Sequence, residues 1–491
     1  MKSANIIAVD LDGTITFVDT LQETVVLLVK KNPFILFLLP FWLLRGIAFF
    51  KLKVAENSEL DVTTLPYNQP FIDWLREQRA NKKKIVLCTA ANNYVAEAIS
   101  VHLGLFDDII ASDVYTNLKS INKRRALEKR YGERGYDYAG NSSADIEVWA
   151  GASQSIIVNA NKRLQSEVSK VASVSRVFSS ENVKIFDLLN LLRLHQWLKN
   201  LLLFVPLLVS HKFDNPQNLN NIIIAFLSFS FCASSVYIIN DIFDLESDRK
   251  HLIKKNRLIS SGKLSIATSL VIAFFTITLS ILLGTMVGTK FLIVLLLYLI
   301  LTIIYSLVLK SIVLVDCFTL SAFYTFRIIA GGVAISLSLS FWLLLFSVFI
   351  FLSLAFLKRY SEIVLMKSDG KNILYGRGYI ISDVFLLQIM GLSSGYISTL
   401  ILALYISNGD NVSSLYTHPI VILLMTPLVL FWISWLWFKA ARNEIHFDPI
   451  IFALRDKVSL SIAFIMVVIF LYATTGIDFP KSFLDKTNFI K

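Results

Sequence analysis

Asn240-Asp241-Ile242-Phe243-Asp244-Leu245-Glu246-Ser247-Asp248-Arg249-Lys250 closes a strongly apolar stretch. On a helix, Asp241, Asp244 and Asp248 fall at i, i+3 and i+7, so one face would carry three carboxylates. Carboxylates beside a membrane span are costly unless they hold a cation or a proton path. Mg²⁺ suits such a face: it takes a few carboxylates, keeps waters, and draws its other ligands from substrate phosphates. A charged helix end that only stops the span is the plainer alternative, but three Asp with Asn240 exceed what a stop needs. A second acidic pair stands near the start. Ile6–Val9 reads as an apolar strand running into Asp10-Leu11-Asp12-Gly13-Thr14, and an Asp delivered into a glycine turn is a presented nucleophile.

The elements that must position these groups belong to two classes. The 491 residues exceed one ordinary domain, and 55% hydrophobic content with a mean hydropathy of +0.62 places the chain among integral membrane proteins. The first third nevertheless reads as a soluble α/β domain. Lys84–Cys88 is a second buried strand ending at Thr89-Ala90, flanked by helical patterns at Phe71–Ala80 and Tyr94–Leu103. This β-α-β-α alternation implies a mostly parallel, Rossmann-like sheet. Pro33 to Phe50 is very apolar but broken by Pro40 and Arg45, and shorter than the ~20 residues of a span. It reads as a helical cap, within about 20–66, that dips into the lipid interface; a buried core helix pair is the alternative. A polar linker follows at 166–181.

About nine apolar segments come next, near Trp197–Ser210, Asn221–Asn240, Ile266–Val287, Phe291–Leu309, Val313–Ile335, Phe341–Leu357, Val384–Ile406, Pro419–Phe438 and Leu460–Thr475. They form an all-α polytopic bundle over 182–478, with a tail at 479–491. With the N-terminus inside, the loops Arg249–Lys263, Lys310, Lys358–Arg377 and Lys439–Lys457 are basic, and the opposite loops nearly lack Lys and Arg. The positive-inside rule then puts the N-terminal domain in the cytosol, the protein in the cell (inner) membrane and the C-terminus outside. The formal charge of +11 is accounted for by these loops, and no basic and aromatic interleaving of the nucleic-acid type is present. Cys88, Cys232 and Cys317 are too few for a disulfide framework or a zinc site, and Met1–Ala8 does not resemble a signal peptide.

The remaining chemistry-bearing residues gather at the same membrane side. Lys199 and Asn200 precede the first span, Arg257 follows the carboxylates, and Tyr305 and Lys310 end the fourth. Asp316 and Arg327 lie in the fifth, and Lys358 and Arg359 end the sixth. Arg327 should face an anion or Asp316, because it cannot cheaply face lipid. Any one of the basic residues could merely snorkel. Several cations around a carboxylate-bound Mg²⁺ are what a diphosphate leaving group requires.

Asp10/Asp12, Thr89, Lys123 and Asp145 stand in the order of the four motifs of haloacid dehalogenase-like (HAD) phosphohydrolases, a resemblance covering about residues 1–165. It implies Asp10 as the nucleophile forming an aspartyl-phosphate and Asp12 as general acid/base. Thr89 and Lys123 would bind the phosphoryl oxygens, and Asp145 would complete a Mg²⁺ site with Asp10, Asp12 and Asn141. Asn141 replaces an Asp of many relatives, which removes one negative charge. Lys119 is a second candidate for the motif lysine.

The C-terminal region resembles the UbiA-type polyprenyl transferases, whose first signature, Asn-Asp-x-x-Asp-x-x-x-Asp, is matched by Asn240 to Asp248. Gln196–Asn200, Tyr305 to Asp316, Arg327 to Gly331 and Leu357 to Glu362 resemble its decaprenyl-phosphate phosphoribosyltransferase branch. The second acidic pair of aromatic prenyltransferases is missing, since Leu320 stands four residues after Asp316; Leu258 departs from the Pro often found after the equivalent of Arg257. The resemblance implies transfer of 5-phosphoribose from phosphoribosyl pyrophosphate to a polyprenyl phosphate, with pyrophosphate released and one Mg²⁺ site in each domain. The fused phosphatase would then dephosphorylate the lipid-linked product. Prenyl transfer from a prenyl diphosphate to an aromatic or other acceptor, and a phosphorylated-lipid transporter with a regulatory HAD domain, are the alternatives.

Overall fold

Ile6–Val9 (β1) forms the middle of a six-stranded sheet in this computed structural model, which describes residues 4–113, 115–179, 183–212, 214–251, 253–368, 377–407, 416–445 and 448–475. The other strands are β2 (Lys84–Asn92), β3 (Asp108–Ser112), β4 (Asp137–Gly140), β5 (Ser155–Val158) and β6 (Val174–Phe178), in the order β3-β2-β1-β4-β5-β6. Every pairing is parallel. Side chains alternate across a strand, so β1 feeds two cores. Ile7 and Val9 pack with Phe71 and Leu75 of α4 (Gln69–Ala80) and Ile99 of α5 (Asn93–Leu103). Ala8 packs on the other face with Leu127, Val148 and Leu164 of α6 (Ile121–Tyr131), α7 (Ile146–Gly151) and α8 (Lys162–Val171). A parallel sheet covered on both faces is the expected outcome of such strand–helix alternation. The sheet order reverses beside β1, where doubly wound folds place their ligands.

The polar stretch expected as a linker contains structure instead. Its first part belongs to α8, which buries only Leu164 and Val168, so its polar exterior dominates the composition. Val174–Phe178 adds the edge strand β6 beside β5. The cap comprises α1 (Thr20–Lys31), a 3₁₀ turn at Pro33–Phe37, α2 (Leu39–Leu44) and α3 (Ile47–Asn57). No residue of the 3₁₀ turn or of α2 is buried, and Phe34 and Leu44 are 76% and 84% exposed, so these elements are not a core pair.

The chain divides into two compact units, Met1–Leu192 with Tyr237–Phe275, and Arg193–Val236 with Thr276–Lys491. The carboxylate segment thus belongs with the N-terminal unit. Among the described residues, eight helices are long and apolar enough to cross a membrane: Pro216–Phe243, Ile266–Val287, Thr289–Leu307, Val315–Ala334, Phe341–Met366, Ile381–Ser407, Ile420–Ala441 and Lys457–Thr474. The expected first crossing at Trp197–Ser210 is shorter. Leu194–Phe204 winds as a 3₁₀ helix and Val205–Val209 as a five-residue α-helix, so Leu194–Val209 is a shorter apolar helix and not one of these eight, although 3₁₀ winding rises about 2.0 Å per residue and extends it beyond an α-helix of equal length. Its backbone packs tightly: a Cβ on Gly331 would lie 2.0 Å from the Leu203 carbonyl oxygen. The tail at 479–491 and parts of the loops at 358–377 and 407–418 lie outside the described residues.

Candidate functional site

At the carboxyl end of β1, the Asp10 backbone N–H donates to the Ala139 carbonyl of β4 (2.9 Å), and its Oδ1 accepts from the Leu11 N–H (2.8 Å). The turn then needs Gly13. Its φ is +74°, and a Cβ there would meet Asn141 Nδ2 at 2.0 Å. Asp12 Oδ1 accepts from the Thr20 N–H (2.8 Å) at the start of α1. Lys123 Nζ lies 3.0 Å from Asp10 Oδ1 and 3.4 Å from Asp145 Oδ1, and donates to the Tyr138 hydroxyl at 2.9 Å. Asp145 is also engaged by the Tyr138 hydroxyl (2.8 Å) and by the N–H and Oγ of Ser142 (3.0 and 2.9 Å). Thr89 turns its Oγ1 to the Ala91 N–H (3.0 Å); it is Ala90 to Asn92 that line the cavity of about 520 Å³ holding Asp10, Asp12, Lys119, Lys123, Asn141 and Asp145.

Burial pushes the Asp10 carboxyl up to about 6, against the pull of Lys123. It pushes Asp12 up to about 7, with the charge of Asp19 adding to the effect. For Lys123 burial acts downward, but Asp10 and Asp145 outweigh it and hold the ammonium above its ordinary value. For Asp145 burial acts upward, but Lys123 and the hydrogen bonds of Tyr138 and Ser142 hold it below the usual range. The cavity thus holds a charged lysine, a charged Asp145 and two carboxyls poised to exchange protons near neutrality. Lys51 of α3 is an unexpected member: its Nζ donates to the Ala90 carbonyl (2.5 Å) and Asn117 Oδ1 (2.9 Å), and burial lowers its pKa. Its only sequence signal is a basic residue inside an apolar cap.

In the carboxylate segment, the helix Pro216–Phe243 breaks at Asp244 (φ −96°, ψ 10°) and a short helix, Leu245–Arg249, follows. Arg257 Nη1 bridges Asp241 Oδ1 (2.9 Å) and Asp248 Oδ2 (2.5 Å). Burial raises the Asp248 carboxyl, with Arg257 opposing. Across this change of helix the Asp244 N–H still donates to the Asn240 carbonyl (2.9 Å) and the Asp248 N–H to the Asp244 carbonyl (2.8 Å), and the Arg257 guanidinium joins Asp241 to Asp248. Among the described residues no three His, Cys, Asp or Glu side chains form a ready metal group. The chemistry of the set still fits a hard divalent cation. It consists of oxygen donors, and Asn240 Oδ1 is buried with no hydrogen-bond partner among the described residues.

The second unit gathers its polar residues into three sets. Lys199 Nζ donates to Asp448 Oδ2 (2.6 Å), and Lys358 Nζ lies 3.4 Å from the same oxygen. Burial acts upward on Asp448, but the two lysines hold it well below the carboxylate range. Asn200 donates to Ser230 Oγ (2.9 Å) and accepts from Arg327 Nε (2.8 Å), whose Nη2 donates to the Tyr298 hydroxyl (3.0 Å). These bonds, with one to the Phe323 carbonyl at 2.7 Å, hold Arg327 where Asp316 or an anion was expected. Asp316 is gripped instead by Arg359 (3.1 Å to Oδ1), Arg377 (2.9 Å) and the Tyr305 hydroxyl (2.7 Å), and Arg359 also pairs with Glu362. Lys310, half-buried, sits in the 3₁₀ turn Leu309–Ser311. Asp448 carried no local signal, because its partners are 249 and 90 residues away.

The UbiA prenyltransferase family matches residues 202–452. The uncharacterized protein y4nM of Sinorhizobium fredii is 34% identical over 467 residues, 94% of this chain and 90% of its own length. The nodulation protein NoeC of Azorhizobium caulinodans is 34% identical over 55% of this chain and 87% of its own. The decaprenyl-phosphate phosphoribosyltransferase of Corynebacterium glutamicum is 34% identical over 37% of this chain and 56% of its own. The eight apolar helices and these relationships together make the chain a multi-pass membrane protein of the UbiA prenyltransferase family.

Proposed function

We propose that this protein transfers 5-phosphoribose from phosphoribosyl pyrophosphate to a polyprenyl phosphate, releasing pyrophosphate. The N-terminal domain, read as a HAD-type phosphatase, then removes the 5-phosphate from the lipid-linked product. The observation that carries the transfer reading is the Asn240-Asp241…Asp244…Asp248 segment with its orphaned Asn240 oxygen and its bridging Arg257. Similarity to the decaprenyl-phosphate phosphoribosyltransferase of Corynebacterium glutamicum supports the donor. Mg²⁺, when bound, would be held by Asp241, Asp244 and Asp248 and would supply neutralising charge to the diphosphate. Arg257 leaves the carboxylates to meet a diphosphate oxygen as the leaving group departs, and neutralises the charge that develops there. The acceptor phosphate is already ionised near neutrality, so no strong general base is required. In the N-terminal pocket Asp10 attacks the phosphorus and breaks its bond to the ribose 5-oxygen, which leaves as the alcohol with a proton from Asp12. Asp12 then takes a proton from the water that hydrolyses the aspartyl-phosphate, releasing inorganic phosphate and restoring Asp10, while Lys123 neutralises the phosphoryl oxygens. A second Mg²⁺ there would be held by Asp10, Asp12 and Asn141, with Asp145 fixing Lys123.

Both reactions are placed on the cytosolic face of the inner membrane, supported by the basic loops on one side of the spans. The exposed apolar cap lies at the lipid interface, where a lipid-linked phosphate is presented. Purified protein given labelled phosphoribosyl pyrophosphate and polyprenyl phosphate tests the order of events. Asp10→Asn is expected to accumulate the 5-phosphorylated lipid, whereas an unchanged product mixture would refute the two-step reading. A second reading, prenyl transfer from a prenyl diphosphate to an aromatic or other acceptor, is favoured by the family's own name; incorporation of prenyl label, with none from phosphoribosyl pyrophosphate, would select it.

A further inference from the structure

Asp248 sits on a helix of five residues, Leu245–Arg249, tied to the long helix before it by the Asp244 N–H to Asn240 carbonyl and Asp248 N–H to Asp244 carbonyl bonds (2.9 and 2.8 Å) but too short to be stable by itself. Outside contacts must fix it. Arg249, the next residue, supplies one. Its Nη1 and Nη2 donate to the two carboxylate oxygens of Glu23 at 3.0 and 2.6 Å, and its Nε donates to the Ser260 carbonyl at 2.9 Å. One guanidinium thereby braces both the helix carrying Asp248 and the loop carrying Arg257. Glu23 comes from α1, the helix whose first N–H is held by Asp12.

A glutamate in the first turn of a helix ordinarily stays in water, where the helix dipole already favours it. Glu23 is 2% exposed, and such burial is costly without a matched partner. Arg249 is that partner, and the contact around it is built. Gln22 Oε1 accepts from the Ala267 N–H (3.1 Å), and Val26 packs beside Ile242, Leu245 and Ile259. Gly262 (φ +75°) brings the loop so close to Phe17 that a Cβ would stand 2.6 Å from the Phe17 Cβ.

Building on the transferase reading, we propose that Glu23 is a positioning residue for the carboxylate segment. Acting through Arg249, it sets the separation of Asp248 from Asp241 and the reach of Arg257, so α1 serves the transfer site as well as the phosphatase pocket. Ligand-orienting partners of this kind typically alter metal affinity by about 10–100-fold when removed.

The test uses the full-length protein in detergent, with Mn²⁺ as the probe, and defines the site by the Mn²⁺ binding that Asp241→Ala abolishes. Glu23→Gln is expected to weaken this binding about tenfold and to raise the half-saturating Mg²⁺ for pyrophosphate release equally, with the rate at saturating Mg²⁺ within about twofold. Arg249→Lys should do the same, and the double variant should be no worse than either single one. Glu23→Met with Arg249→Met replaces the pair by apolar side chains, retains the fold, and should still lose the affinity. Unchanged Mn²⁺ affinity in these variants, a lower maximal rate at unchanged Mg²⁺ dependence, or wild-type protein without Asp241-dependent binding would overturn the proposal. A weakened Mn²⁺ affinity in a protein that releases no pyrophosphate would uphold it and remove the transferase reading instead.

Discussion

Asp10 and Asp12 share one cavity, and both are held above the ordinary carboxylate value of 3.8, at about 6 and about 7. The folded state therefore keeps protons that the unfolded chain has released. Each group contributes stability that is fully present below about pH 4 and is lost as pH rises through about 6 and about 7. For metal-free protein, thermal unfolding followed across about pH 5 to 8 should show a midpoint that falls with pH. Asp10→Asn with Asp12→Asn should flatten that slope, because both titrations are gone. At Gly13 the same turn is limited by space and by φ. Gly13→Ala meets both the strained φ and the Asn141 amide at 2.0 Å, so it should cost about 2–4 kcal/mol and be read as a lowered denaturation midpoint.

At the scale of elements, close backbone approach and buried charge decide what can change. Gly331 lies against the Leu203 carbonyl, so Gly331→Val should push the Leu194–Phe204 turn off the helix Val315–Ala334 and cost at least about 1–3 kcal/mol, read as lost thermal stability in detergent. Asp316→Asn leaves Arg359 and Arg377 without their shared counter-charge and should destabilise by about 3–5 kcal/mol, read the same way. The elements legible in the sequence are those whose apolar pattern is local. β1, the start of β2, α4, α5 and eight of the nine apolar crossings follow from runs and periodicity. α8 and β6 were hidden by a polar exterior, and the 3₁₀ winding of Leu194–Phe204 by an apolar composition that reads the same for either kind of helix. Asp10 and Asp248 were legible because each belongs to a motif of local spacing, and Lys123 because it stands in the order of a family's motifs. Glu23, Lys51 and Asp448 were not, because their meaning lies in partners 39 to 249 residues away.

At the scale of the whole molecule, one chain joins an α/β domain with a carboxylate- and lysine-lined cavity to a membrane domain of the UbiA prenyltransferase family, and the compact unit that holds the cavity also contains residues 237–275. Under the proposed function, the 5-phosphate left on a membrane lipid is a substrate that the proposed phosphatase meets without the lipid leaving the membrane. The most direct measurement of this account is pyrophosphate release by the purified protein with polyprenyl phosphate and either phosphoribosyl pyrophosphate or a prenyl diphosphate, with Asp241→Ala as the control. The account predicts release with phosphoribosyl pyrophosphate that depends on polyprenyl phosphate and is lost in Asp241→Ala. Release with the prenyl diphosphate alone, or release indifferent to Asp241→Ala, would contradict it.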